Sequence, residues 1–173
     1  MSQNQGFQQR GLPQLDSSPC NFRWEVSPVA IVLIHNEIKF WAGDLDLDLD
    51  STLISGERFT ASSPRLTHNS ESFRKALVAS KSGETLGYAE LHHFQGFGHL
   101  LAKLIVKPVY RRQGIGRRIL GQFSTQLAAR GERLSLFVHA QNRFALKLYV
   151  GFGFKVIEYH QHDRMYWMVW RPI

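Results

Sequence analysis

Val106-Lys107-Pro108-Val109-Tyr110-Arg111-Arg112-Gln113-Gly114-Ile115-Gly116-Arg117-Arg118 is the stretch that decides how this chain folds. The residues leading into it, Leu100 to Val106, are aliphatic except for Lys103 and predict a buried strand. Beyond it, Ile115, Ile119, Leu120, Phe123 and Leu127 recur at helical spacing. The Gly-rich piece is therefore a turn that feeds a strand into a helix. Pro108 ends the strand because proline has no N–H for a ladder. Gly114 and Gly116 remove side chains where the backbone must come close to a neighbour. The first N–H groups of a helix lack partners within it and lie at the positive end of its dipole. With Arg111, Arg112, Arg117 and Arg118 around them they suggest a site for a di- or polyphosphate. The plainer alternative is a tight turn with a solvated basic helix end. A P-loop is excluded because no Gly-Lys-Ser/Thr follows. A dinucleotide fingerprint is excluded because Ile119 stands where its third glycine belongs.

Charge is distributed in the same sense. Residues 1–70 hold eight acids and five Lys/Arg, whereas residues 71–173 hold six acids and sixteen Lys/Arg. Nucleic acid, a membrane surface or a polyphosphate would each suit the basic part. The crowding of that charge at the turn favours the phosphate ligand and makes nucleic acid the weaker reading. At 173 residues and 43% hydrophobic content, the chain can build one core. The longest apolar run, Val29 to Ile34, is too short to span a bilayer, so no membrane partner is expected. No basic-then-apolar leader is visible at the start. Cys20 is the only cysteine, excludes an internal disulfide and suits a cytoplasmic location; it reads as an incidental residue of a polar tail.

Outward from the turn, Phe73–Ala79 and Thr85–Phe94 read as strands joined at Ser82-Gly83, with Gly96 and Gly98 turning the chain into the next strand. The helix after the Gly-rich turn ends at Arg130-Gly131. Leu134, Leu136 and Val138 alternate as a strand, and Asn142 caps a second helix running to about Gly151. Phe154–Tyr159 and Met165–Trp170 close the sheet as an antiparallel pair. Residues 1–20 read as a flexible tail and 51–70 as loop. Two features stay open. Ser27-Pro28 suits a helix start, but Val29-Ala30-Ile31-Val32 suits a strand. Asp44 to Asp50 alternates acid and leucine: a strand with a solvated acidic edge, a wall attracting a cationic amine, or a calcium loop, though Leu49 and Ser55 stand where an EF-hand needs Gly and Glu.

Arg111-x-x-Gly114-x-Gly116, preceded by Val106-x-Pro108-x-Tyr110, resembles the pyrophosphate motif of the GCN5-related N-acetyltransferase (GNAT) superfamily. A second block, Val138, Asn142, Ala145, Leu148-Tyr149 and Gly153-Phe154, is similar to that family's next motif. The resemblance covers about residues 73–171 and implies an α/β (α+β) fold: a mixed, mostly antiparallel central sheet flanked by helices. Residues 21–173 would then be a single acetyltransferase domain. It also implies acetyl-CoA as co-substrate. Backbone groups of Leu104, Ile105 and Val106 would bind the pantetheine arm. The turn from Arg111 through Arg112, Gln113, Gly114, Ile115 and Gly116 to Arg117 would hold the pyrophosphate. Asn142 would touch the pantetheine.

Tyr149 follows Asn142 by two helical turns, on the same face, and a phenol there can give a proton to a thiolate. The resemblance implies that it is the general acid; otherwise it is a half-buried aromatic and Asn142 a plain cap. Members that acetylate protein N-termini often carry a Glu where Phe137 stands, so the general base must come from elsewhere. Glu90 and His92 share one strand face, with His93 on the other and His99 on the next strand; each of these is also readable as structural. No cysteine or helical His pair supports a metal. The acceptor implied is a small-molecule or peptide amine, and a homodimer stays open. The competing readings are a non-catalytic acyl-CoA-binding module and a nucleic-acid binder.

Overall fold

The computed structural model describes residues 19–38, Trp41 and 71–173. Among these residues, seven strands and three α-helices follow in the order β1 (Asn21–Glu25), α1 (Pro28–Ile38), β2 (Glu71–Lys81), β3 (Glu84–Phe94), β4 (Gly98–Val106), α2 (Ile115–Ala128), β5 (Leu134–His139), α3 (Arg143–Phe152), β6 (Lys155–His160) and β7 (Met165–Trp170), with a short 3-10 turn at Pro108–Tyr110. They form one sheet in the order β1-β2-β3-β4-β5-β7-β6. Every neighbouring pair is antiparallel except β4 and β5. The mixed, mostly antiparallel sheet expected from the sequence is therefore present.

Strand alternation divides the side chains between two faces. On one face, Leu77, Ala89, Leu91 and Leu101 meet Ile115, Ile119, Leu120, Phe123 and Leu127 of α2 and Tyr149 of α3 in the main core. On the other, Ile31, Ile34, Ile38 and Trp41 cover Ala76, Val78, Tyr88 and Ile105. A third cluster joins Phe94, Phe97 and Leu100 to Phe137 and Trp167.

The open question at Ser27-Pro28 resolves as a helix. Ser27 Oγ accepts the Ala30 N–H, and the Glu25 carboxylate accepts the N–H groups of Val26 and Ser27. These satisfy donors that a helix start leaves unpaired, and they outweigh the β-preference of the following residues. Just before this start, β1 adds an edge strand to β2, which the sequence did not signal separately. Cys20 is buried in the main core rather than lying in a polar tail. The acidic alternation Asp44–Asp50 and the Ser/Thr-rich 51–70 lie outside the described residues, as does the tail up to residue 18.

His99 illustrates how the sheet handles its histidines. It is buried beside His93, their ring centroids 4.8 Å apart, and its Nε2 lies 2.8 Å from Glu132 Oε2. Burial pulls its pKa below the ordinary 6.5, although Glu132 pulls the other way, while His93 and Lys75 lower it further. A neutral ring then donates Nε2–H to the carboxylate. The unfolded chain binds the proton more readily than the folded one, so stability falls as pH drops below about 6.5 and levels off below the folded pKa. Urea unfolding of wild type and His99→Leu across pH 4–8 checks this: the His99→Leu curve should be the flatter.

Candidate active site

Three features converge at the end of β4. The first is a bulge. Glu90 pairs with Lys103 but Leu91 pairs with Leu101, so Ala102 is an extra residue on β4. The second is a gap. The parallel pairing of β4 with β5 spans only His99–Leu101 against Leu134–Leu136. Past that point β4 stays bonded to β3, and β5 stays bonded to β7. Leu104, Ile105 and Val106, all half-buried, thus pair with β3 on one edge, and no described strand pairs with the other. An unpaired strand edge is a template for an extended ligand.

The third is the turn. Arg112 (φ 62°) and Gly114 (φ 79°) are both left-handed and curl the chain into α2. The first bond of the helix ladder is Arg118 N–H to Gly114 O at 3.0 Å. The N–H groups of Ile115, Gly116 and Arg117 therefore have no acceptor in the helix and point out of its start. A Cβ on Gly116 would lie 3.2 Å from Leu148 Cδ2 and 3.8 Å from Val106 Cγ2, so glycine lets α2, α3 and β4 meet closely here. Glu84 braces the turn by accepting from both Lys107 Nζ and Tyr110 Oη.

The arginines divide their work. Arg111 donates Nε–H to Val106 O at 3.0 Å and a terminal N–H to Trp41 O at 2.6 Å, so its guanidinium secures the turn against the main chain. Arg117 donates to Gly151 O on α3 at 2.9 Å. Arg112 is exposed and hydrogen-bonds to no other described residue. Removing the Arg111 side chain should cost about 1–3 kcal/mol, the worth of a charged hydrogen bond. Urea unfolding of Arg111→Ala would read this directly.

The remaining candidates are divided between the two faces of the sheet. Asn142 caps α3, its Oδ1 accepting the Ala145 N–H at 3.1 Å, which leaves its amide N–H groups for another partner. Tyr149 is buried on the α2 face with its ring edge against Phe154, and burial pushes its hydroxyl pKa well above the ordinary 10. On the opposite face, Glu90 is 1% exposed. It accepts from Tyr88 Oη at 2.8 Å and lies 3.6 Å from His92 Nε2 and 3.8 Å from Lys103 Nζ. The expected alternation holds: Glu90 and His92 share this face, while His93 stacks on Phe73 across the sheet. Phe137 packs beside Trp167 and His160 and supplies no acid. No group of three metal-ligating side chains exists among the described residues. Sequence reasoning missed Tyr88 and Lys103; the visible signal was a lysine interrupting an aliphatic strand.

The chain belongs to the acetyltransferase (GNAT) domain family, which it matches over residues 56–169. It is 40% identical over 73 residues to mycothiol acetyltransferase of Amycolatopsis mediterranei (strain U-32), a match covering 42% of this chain and 23% of that protein. Among solved structures, the PaiA N-acetyltransferase of Thermoplasma acidophilum in complex with coenzyme A matches with a TM-score of 0.50 and 26% identity, over 56% of this chain and 59% of that one. The ribosomal-protein-S18-alanine N-acetyltransferase of Escherichia coli shares the fold, with a TM-score of 0.56 and 19% identity over 88% of this chain and 93% of its own.

Proposed function

We propose that this chain moves an acetyl group from acetyl-CoA to a primary amine by direct attack in a ternary complex. The observation that carries the reading is the disposition of the two faces: Tyr149 lies on one side of the sheet, Glu90 and His92 on the other, and the pairing of β4 with β5 ends at Leu101, just before Lys103, the partner of Glu90. Acetyl-CoA as the donor is supported by the family match and by a structural relative that binds coenzyme A.

In this scheme the pantetheine lies along Leu104–Val106 as an added strand, within reach of the Asn142 amide, and the pyrophosphate sits on the N–H groups of the turn. The amine arrives from the Glu90 face. Its nitrogen attacks the thioester carbon, and a β4 backbone N–H stabilises the oxyanion. The C–S bond then breaks. The nitrogen gives up its proton to His92 or Glu90, and the leaving thiolate takes one from Tyr149. At its ordinary pKa of 10 a phenol is already protonated at neutral pH, and burial raises that of Tyr149 further.

The acceptor is a small-molecule or peptide amine, and the lone Cys20 supports a reducing cytoplasm as its compartment. No helix among the described residues is long and apolar enough to cross a membrane. Phe137, standing where related enzymes place an acid, supports a second reading, a non-catalytic acyl-CoA-binding module.

Calorimetric titration with acetyl-CoA at two salt concentrations tests the donor site. Saturable one-to-one binding is expected, with about 2.7 kcal/mol of added stability at a hundredfold excess over Kd. Absence of binding at both salts would rule out both acyl-CoA readings.

A further inference from the structure

Lys103 would face the wrong way in a regular strand. Leu101 points into the α2 core, and in unbroken alternation residue 103 would follow it there. The extra residue at Ala102 inverts the pattern: Leu104 and Val106 join the α2 face, Ile105 joins the α1 face, and Lys103 turns toward Glu90. The bulge thus does two things at once. It ends the pairing with β5, and it delivers a cation to a carboxylate that is 1% exposed.

That carboxylate needs a counter-charge. An isolated carboxyl group in such surroundings takes up a proton rather than remain ionised. Tyr88 donates a hydrogen bond to it but brings no charge. Among the described residues, the charged and titratable groups around it include His92 on β3, Lys103 on β4 and, on β2, Arg74, which lies opposite His92 in register and whose charge reaches Tyr88. α1 contributes Ile31, Ile34 and Ile38 to this face. Lys103 Nζ lies 3.8 Å from the carboxylate oxygen, with its side chain 11% exposed.

We propose that Lys103 is a positioning residue for proton transfer: it keeps Glu90 ionised, so that Glu90 and His92 together can receive the proton released by the attacking amine. This rests on the acceptor-side reading above and names the residue that regulates it. A protonated Glu90 could neither accept that proton nor orient the imidazole of His92 as a carboxylate does.

The test has two arms. In the first, infrared spectra of the full chain are recorded as a function of pH for wild type, Lys103→Met, Lys103→Arg and the double variant Lys103→Met/Glu90→Gln. Wild type and Lys103→Arg should show no protonated-carboxyl band from Glu90 at pH 7. Lys103→Met should show one, and Glu90→Gln should remove it. If Lys103→Met does not fold, Lys103→Gln is read in the same way. In the second arm, the acidic limb of the kcat/KM profile is measured with acetyl-CoA and the amine that wild type acetylates fastest among an amino acid, a polyamine, an aminoglycoside and a short peptide. Lys103→Met should move it upward by about 1–3 pH units, the reach of one nearby opposite charge, and Lys103→Arg should restore it.

Absence of the band in Lys103→Met overturns the proposal. So does a band that appears while the acidic limb stays in place, since Lys103 would then be a structural counter-ion only. If no amine is turned over, the acetyl-transfer reading fails, while the infrared arm still decides whether Lys103 governs the charge on Glu90.

Discussion

Tyr149→Phe should lower turnover by about 100-fold or more, the usual contribution of a general acid, while acetyl-CoA affinity stays unchanged. The substitution removes one oxygen and keeps the ring. The edge contact with Phe154 and the place of the side chain in the main core therefore survive, and the helix should not move. What disappears is a proton that burial holds tightly on the hydroxyl. The sign of the pH dependence follows. An acid works while protonated, and a raised pKa extends that condition upward, so the alkaline limb of wild type should not fall at the ordinary tyrosine value of 10. Steady-state kinetics with a parallel calorimetric titration separates the outcomes. Equal turnover would remove Tyr149 from the chemistry, and lost affinity with normal turnover would make it a wall of the donor site.

The second large effect is structural. Phe123 is fully buried in the middle of α2, and its ring meets Trp24 of β1 in a T-shaped contact at a centroid distance of 5.2 Å. Trp24 in turn lies under the ammonium of Lys75, 4.2 Å from its ring centre. Phe123→Ala should therefore cost about 3–5 kcal/mol, through lost burial and the cavity left behind. For a chain of this size each kcal/mol lowers Tm by about 2–4 °C, so a drop of roughly 6–20 °C is expected. Phe123→Leu, which keeps most of the volume, should cost less than about 1.5 kcal/mol. Thermal unfolding followed by tryptophan fluorescence checks both. A small loss for Phe123→Ala would mean that β1 and α2 do not depend on this contact.

The parts of the fold that were legible in the sequence are those written in period and punctuation. Alternation at Leu134, Leu136 and Val138, helical spacing from Ile115 to Leu127, and glycines in the left-handed region at Gly83, Gly96 and Gly131 all lie where they predict. α1 was ambiguous because two local preferences conflicted, and side-chain bonds from Ser27 and Glu25 decided it. The bulge was illegible for a different reason. One extra alanine changes neither composition nor hydrophobicity, yet it flips every later side chain on β4. The side-chain partners of Arg111 were illegible in a third way. Its position matches a phosphate motif, and the carbonyls that hold its guanidinium, those of Val106 and Trp41, include one seventy residues away in sequence. Glu90 and His92 could be placed on one face by alternation, whereas the approach of Tyr88 and Lys103 to the same carboxylate needed the strand register.

Acetyl transfer can be read from the release of free thiol from acetyl-CoA in the presence of primary amines. Saturable thiol release with at least one amine is expected, with a product heavier by one acetyl group and loss of both in Tyr149→Phe. Tight acetyl-CoA binding with no thiol release above the amine-free blank, across amino acids, polyamines, aminoglycosides and peptides, would contradict it and leave the chain as a binding module.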